Sequence, residues 1–122
     1  MNNPIKIAVD AMGGENSPEK VINGIHIHNN NIKNIFYNIF GDQNILDPLI
    51  KKIKLPENKY KIIHTTNKVE DNDSPLSAAK RGRDTSMWMS IESVKNNHSD
   101  AIVSAGNTGA LFVIAKLNLK MI

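Results

Sequence analysis

Three short stretches carry the residues whose types and spacing could do chemistry: DAMGG at Asp10 to Gly14, KRGRDTS at Lys80 to Ser86, and SAGNTG at Ser104 to Gly109. The last has the parts of an anion cradle. Gly106 and Gly109 let the backbone approach a ligand, Ser104 and Thr108 offer hydroxyls, and the start of a following helix presents unpaired N–H groups. A helix terminus alone favours a nearby anion by only about 0.3–1 kcal/mol, whereas a charged hydrogen bond from arginine contributes about 1.5–3 kcal/mol. Arg81 and Arg83 therefore read as the stronger holders of a phosphate, with the glycine loop setting its geometry. Spacing leaves the plainer alternative open, in which the glycines merely permit a strand-to-helix turn and the arginines lie in water. Asp10 reads equally as a base, as an organiser of a phosphate loop, or as an aspartate that caps the Gly13-Gly14 turn.

Other chemistries find less support. SAGNTG lacks the terminal Lys-Ser/Thr of a P-loop, and neither G-x-G-x-x-G nor G-x-S-x-G occurs. With no cysteine there is no thiolate nucleophile, disulfide or Cys-ligated metal. His26 and His28 stand two apart on an expected helix, on different faces, and no metal or cofactor is expected. The net charge of +3 is spread along the chain by scattered lysines, so it does not argue for nucleic acid.

These stretches need a scaffold, and the periodicity supplies one. PIKIAVDA (4–11), IFYNIFGD (35–42), KYKIIHTT (59–66) and SDAIVSAG (99–106) read as strands. Between them, SPEKVINGIHIHNN reads as a helix with Ser17 as its cap and Pro18 at its first position, and DPLIKKIK as a short amphipathic helix with Leu49, Ile50 and Ile53 inward. Ser74-Pro75 caps and starts another helix, and residues 84–97 form the next, with Met87, Ile91 and Val94 on one stripe. Residues 107–122 form the last. Strands alternating with helices, and apolar on both faces, predict a parallel sheet covered on each side: an α/β, three-layer αβα, Rossmann-like domain. In such a sheet ligands bind beyond the carboxyl ends of the strands, where all three stretches fall. At 122 residues, 40% of them hydrophobic, the chain is one domain's worth of material without a membrane-spanning run. The last helix is apolar nearly all round and the sequence stops at Ile122 without a capping signal, so a covering neighbour is expected to be missing.

Taken together, IAVDAMGGE, RGRDTSMW and VSAGNTGAL resemble, in order and distance, the amino-terminal part of the bacterial phosphate acyltransferase (PlsX) family of phospholipid synthesis. The resemblance implies a truncated fold similar to the isocitrate and isopropylmalate dehydrogenases. It also implies transfer of an acyl group from acyl-[acyl carrier protein] to inorganic phosphate, a homodimer, a bacterial cytoplasmic location and peripheral membrane contact. By motif match it implies a site lined by Asp10, Gly13, Gly14, Arg81, Arg83, Asp84, Ser86, Ser104, Gly106, Thr108 and Gly109. Asn107 is the candidate donor to an oxyanion or phosphate, because its amide donates without carrying charge. Glu15 replaces the Asp usual after the glycines, Asp71-Asn72 replaces a Met-Asp pair, and the chain ends before the Arg-Pro-Ala segment expected next. The competing expectations are an inactive remnant serving as an interaction module and, from fold kinship alone, a dinucleotide-binding module.

Overall fold

The computed structural model describes residues 3–119. Four parallel strands, β1 (Ile5–Asp10), β2 (Ile35–Gly41), β3 (Tyr60–His64) and β4 (Ala101–Ser104), form one sheet in the order β3-β2-β1-β4. Among the described residues four α-helices connect them, α1 (Glu19–Asn31), α2 (Gln43–Ile53), α3 (Pro75–Lys80) and α4 (Ser86–Lys95), and a fifth, α5 (Thr108–Leu119), follows β4. The expected αβα arrangement with a parallel Rossmann-like sheet is present. Positions 120–122 of the expected last helix lie outside the described residues.

Alternation along the strands divides the core into two layers. Val9 of β1, with Tyr37 and Ile39 of β2, packs under Ile22 and Ile25 of α1 and Leu46 and Ile50 of α2. On the other face, Ile102 of β4 packs against a cluster of Ala78, Met87, Trp88, Ile91, Ala110 and Ile114 from α3, α4 and α5. Burying a side chain of the size of Ile, Leu or Met contributes about 1.5–3 kcal/mol. The register sets Asp10 beside Phe40 on one flank and beside Ser104 on the other, so the carboxyl ends of β1 and β4 finish level.

Helix starts depart from the sequence reading in three places. Ser17 does not cap α1: its hydroxyl donates to the Gly13 carbonyl, and the helix starts after Pro18 without a side-chain cap. Helix α2 begins upstream of Asp47, because the Asp42 side chain accepts the Asn44 N–H at 3.0 Å and Pro48 lies inside the helix. Ser74 does cap α3 by accepting the Ser77 N–H. The expected helix over 84–97 starts at Ser86, capped by Thr85, whose hydroxyl accepts the Trp88 N–H. Helix α5 leaves Phe112 and Leu117 exposed, as its all-round apolar sequence foretells.

Candidate functional site

The three stretches converge at the carboxyl end of the sheet, and Asp10 is where they meet. Ser86 donates to one of its carboxylate oxygens at 2.6 Å and Ser104 to the other at 2.8 Å. The backbone N–H groups of Met12 and Gly13 bond to the same carboxylate. Asp10 is only 1% exposed, and this burial pushes its pKa above the ordinary aspartate value, with the four hydrogen bonds pulling the other way. The candidate base is thus enclosed, with both oxygens occupied.

Close backbone contact, besides the Ser104–Asp10 bond, joins the two glycine loops. A Cβ on Gly13 would lie 2.6 Å from the Asp10 carboxylate and 3.2 Å from the Gly106 Cα. Gly14 has φ +95°, and a Cβ there would meet the Ala105 carbonyl oxygen at 2.6 Å. Only glycine permits both the close approach and the left-handed backbone. The Gly106 N–H then donates to the Ser104 hydroxyl at 3.2 Å, folding SAGNTG back over the end of β4.

The Asn107 side chain, the candidate donor, is engaged at both ends. Its Oδ1 accepts the Ala110 N–H at 3.0 Å and so caps α5. Its Nδ2 faces the carbonyl oxygens of Asp73 at 2.6 Å, Glu70 at 3.3 Å and Asp71 at 3.4 Å. The amide is engaged in holding the 70–73 loop against the helix start. Gly109 completes the contact, since a Cβ there would come within 3.0 Å of the Pro75 ring. Thr108, the first residue of α5, is exposed.

The charged residues of KRGRD also separate into different positions. Arg81 forms a two-pronged pair with Asp73, Nη2 to Oδ1 at 2.9 Å and Nε to Oδ2. The guanidinium holds the Asp73 carboxyl below its ordinary range, helped by the Glu70 N–H. Asp84 turns to Asn67, accepting from its side-chain amide at 2.6 Å, and the Asp84 carbonyl accepts the Thr65 hydroxyl. Arg83 is exposed and has no ion-pair partner among the described residues. Sequence reasoning did not single out Asp73, Thr65 or Asn67. The one signal available was position, since Asp73 directly precedes a Ser-Pro helix start and Thr65 follows a strand.

The site therefore combines a buried polar hub, a glycine-lined backbone surface and a capped helix N-terminus. A helix start of this kind favours a nearby anion. Among the described residues, no group of three or more His, Cys, Asp or Glu stands close enough to hold a metal ion.

Comparison with known proteins points the same way. A family model described as "Fatty acid synthesis protein" matches residues 5–122. The chain is 57% identical over its whole length to a phosphate acyltransferase of Pelagibacter ubique, of which it covers 36%. It is 42% identical over 99% of its length to the phosphate acyltransferase of Parvibaculum lavamentivorans, and 40% identical over 98% to that of Azorhizobium caulinodans, covering 34% of each. It thus spans about a third of the length of the relatives it matches. With a match of that extent, the chain belongs to the fatty acid synthesis protein family, whose matched members are phosphate acyltransferases.

Proposed function

We propose that this chain supplies the phosphate-binding part of an enzyme that transfers an acyl group from acyl-[acyl carrier protein] to inorganic phosphate, giving acyl phosphate. The observation that carries the proposal is the convergence of DAMGG, Ser86 and SAGNTG on one buried aspartate, with Gly13 and Gly14 in close backbone contact with Ala105 and Gly106 just before the start of α5. The kinship of the whole chain with phosphate acyltransferases supplies the reaction class.

A phosphate oxygen attacks the thioester carbonyl carbon and forms the new C–O bond. The resulting oxyanion collapses, the C–S bond breaks, and the carrier thiolate leaves and takes up a proton. Direct attack by bound phosphate requires no acyl-enzyme, and this chain offers no cysteine to form one. The protein's contribution is to position phosphate and stabilise developing charge. Asp10 is the positioning residue, holding Ser86 and Ser104 in place. Arg83 and the first N–H groups of α5 bind phosphate, with the Thr108 hydroxyl beside them. Gly13, Gly14, Gly106 and Gly109 shape the surface, while Asn107 and the Arg81–Asp73 pair fix the neighbouring loop. The reading carries with it the dehydrogenase-like form of the complete fold and a dimeric, membrane-touching enzyme that uses acyl carrier protein.

Incubation with acyl-[acyl carrier protein] and labelled phosphate, with the rest of a relative's chain supplied, tests the proposal. Labelled acyl phosphate, trapped by hydroxylamine as the hydroxamate, is the expected product. Two folded parts that associate and yield none would overturn it.

A further inference from the structure

We infer that residues 70–73 form an acidic strap closed over the start of α5, latched by Arg81 and Asn107, and that inorganic phosphate binds by displacing this strap. The inference deepens the proposed function and rests on it, because it supplies a gate for the phosphate placed at the first N–H groups of α5.

Both latches close on one residue. Arg81 holds the Asp73 side chain at two atoms, Nη2 to Oδ1 at 2.9 Å and Nε to Oδ2. Asn107 holds the backbone of the same residue, its Nδ2 lying 2.6 Å from the Asp73 carbonyl oxygen, with those of Glu70 at 3.3 Å and Asp71 at 3.4 Å. The opposite end of that amide, Oδ1, caps α5 at the Ala110 N–H. The strap therefore stands one amide group away from the helix start.

Charge turns this contact into competition. The strap reads EDND, three carboxylates in four residues, beside a helix start that attracts negative charge. While it is closed, its carbonyl oxygens and carboxylates occupy the surroundings an anion would seek, and an incoming phosphate meets like charge. Phosphate thus favours the open strap, and a ligand shifts an equilibrium toward the state that it binds better.

The packing lets the strap open without disturbing the sheet. Val69, before it, is buried in the apolar cluster of α3, α4 and α5, and Pro75, after it, lies against Gly109. Between these anchors Asp71, Asn72 and Ser74 are exposed, and Glu70 and Asp73 are half-buried. The Asp73 N–H donates to the Glu70 carbonyl at 3.1 Å and the Glu70 N–H to Asp73 Oδ2 at 2.9 Å, so these bonds stay within the strap. A segment held by exposed polar contacts rather than by apolar burial opens at a low cost in free energy.

The test is hydrogen exchange, with and without inorganic phosphate, on this chain joined to the remaining part of the Pelagibacter ubique enzyme, with binding followed in parallel by calorimetry. A ligand ordinarily slows exchange where it binds. Here saturating phosphate is expected to quicken the Glu70 and Asp73 amides by about tenfold while it slows those of Thr108 and Gly109. Asp73→Asn loosens the Arg81 latch and keeps the strap. Its amides at 70 and 73 are expected to exchange fast from the outset, with no further quickening by phosphate. Phosphate that binds the parent but leaves those two amides unchanged, or slows them, overturns the strap and leaves the phosphate site standing. No phosphate binding to either folded protein overturns the site and the strap together.

Discussion

Ser86 donates to Asp10 across 2.6 Å, joining residues 76 positions apart in the sequence. The bond ties the first turn of α4 to the end of β1, and Ser104 occupies the other oxygen of the same carboxylate. Asp10→Asn replaces one acceptor by a donor that faces a hydroxyl or a backbone N–H. The expected cost is about 1–3 kcal/mol of stability, read as a lower melting temperature. Loss of the Asp10–Ser86–Ser104 hub also predicts weaker phosphate binding, measured by titration.

The pH dependence of Asp10 has a definite sign. Its folded pKa lies above the unfolded one, so its contribution is fully present below the unfolded value and is lost as pH rises through the folded value. Asp73 behaves oppositely, since Arg81 lowers its pKa. Its contribution is present above the ordinary aspartate value and is lost as pH falls through the folded one. Denaturation measured from acid to neutral pH should therefore show Asp10→Asn removing a decline on the rising side and Asp73→Asn removing a decline on the acid side. Identical profiles for both variants and the parent would contradict the two environments described.

Glycine substitutions separate the cradle from the rest of the scaffold. Gly13→Ala brings a Cβ against the Asp10 carboxylate and the Gly106 backbone, neither of which can swing away. A loss of about 1–3 kcal/mol is expected, as for overpacking in a core. Gly24, in the middle of α1, has nothing within 4 Å of a built Cβ. Gly24→Ala should instead raise stability by about 0.5–1 kcal/mol through helix propensity. Thermal unfolding of the pair checks both signs at once.

The layers and strands were legible in the sequence because their signals are local: alternation in IKIAVD, turn residues after each strand, and Ser74-Pro75 before α3. The kinship, too, rested on contiguous motifs. What escaped was set by distance or competition. Ser17 carries a capping residue type, but its hydroxyl is taken by the Gly13 carbonyl rather than by the α1 N–H groups. Pro48 reads as a helix start, yet Asp42 caps α2 a turn earlier. Nothing in the local sequence tells that Asp73 will claim Arg81, or that the Asn107 amide will turn toward three carbonyls, because those partners lie 8 and more than 30 residues away.

Asn107 offers a test of position against chemistry. Asn107→Ala removes the α5 cap, at about 0.5–2 kcal/mol, and frees the 70–73 loop. Asn107→Asp keeps a good capping oxygen but sets a second carboxylate oxygen among three carbonyl oxygens. If the amide serves chiefly to hold the loop, exchange at residues 70–73 quickens in both variants, and the aspartate does not rescue it. Rescue by aspartate would show the cap alone to matter.

The two arginines are expected to part company under substitution. Arg81 is half exposed but engaged at two atoms with Asp73, so it is less available to an anion and more important to its loop. Arg83 has no such partner among the described residues. Arg83→Ala should weaken phosphate binding by the value of a charged hydrogen bond, about 1.5–3 kcal/mol, roughly ten- to a hundred-fold in Kd, with the melting temperature little changed. Arg81→Ala should lower the melting temperature and speed exchange around Asp73, with a smaller effect on phosphate. Arg83→Lys retains charge without the planar fork and should recover part of the affinity. Calorimetric titration with inorganic phosphate, beside melting curves for each variant, decides the assignment. Equal phosphate affinity in the parent and Arg83→Ala would remove Arg83 from the site and leave the helix start and the glycine backbone as its donors.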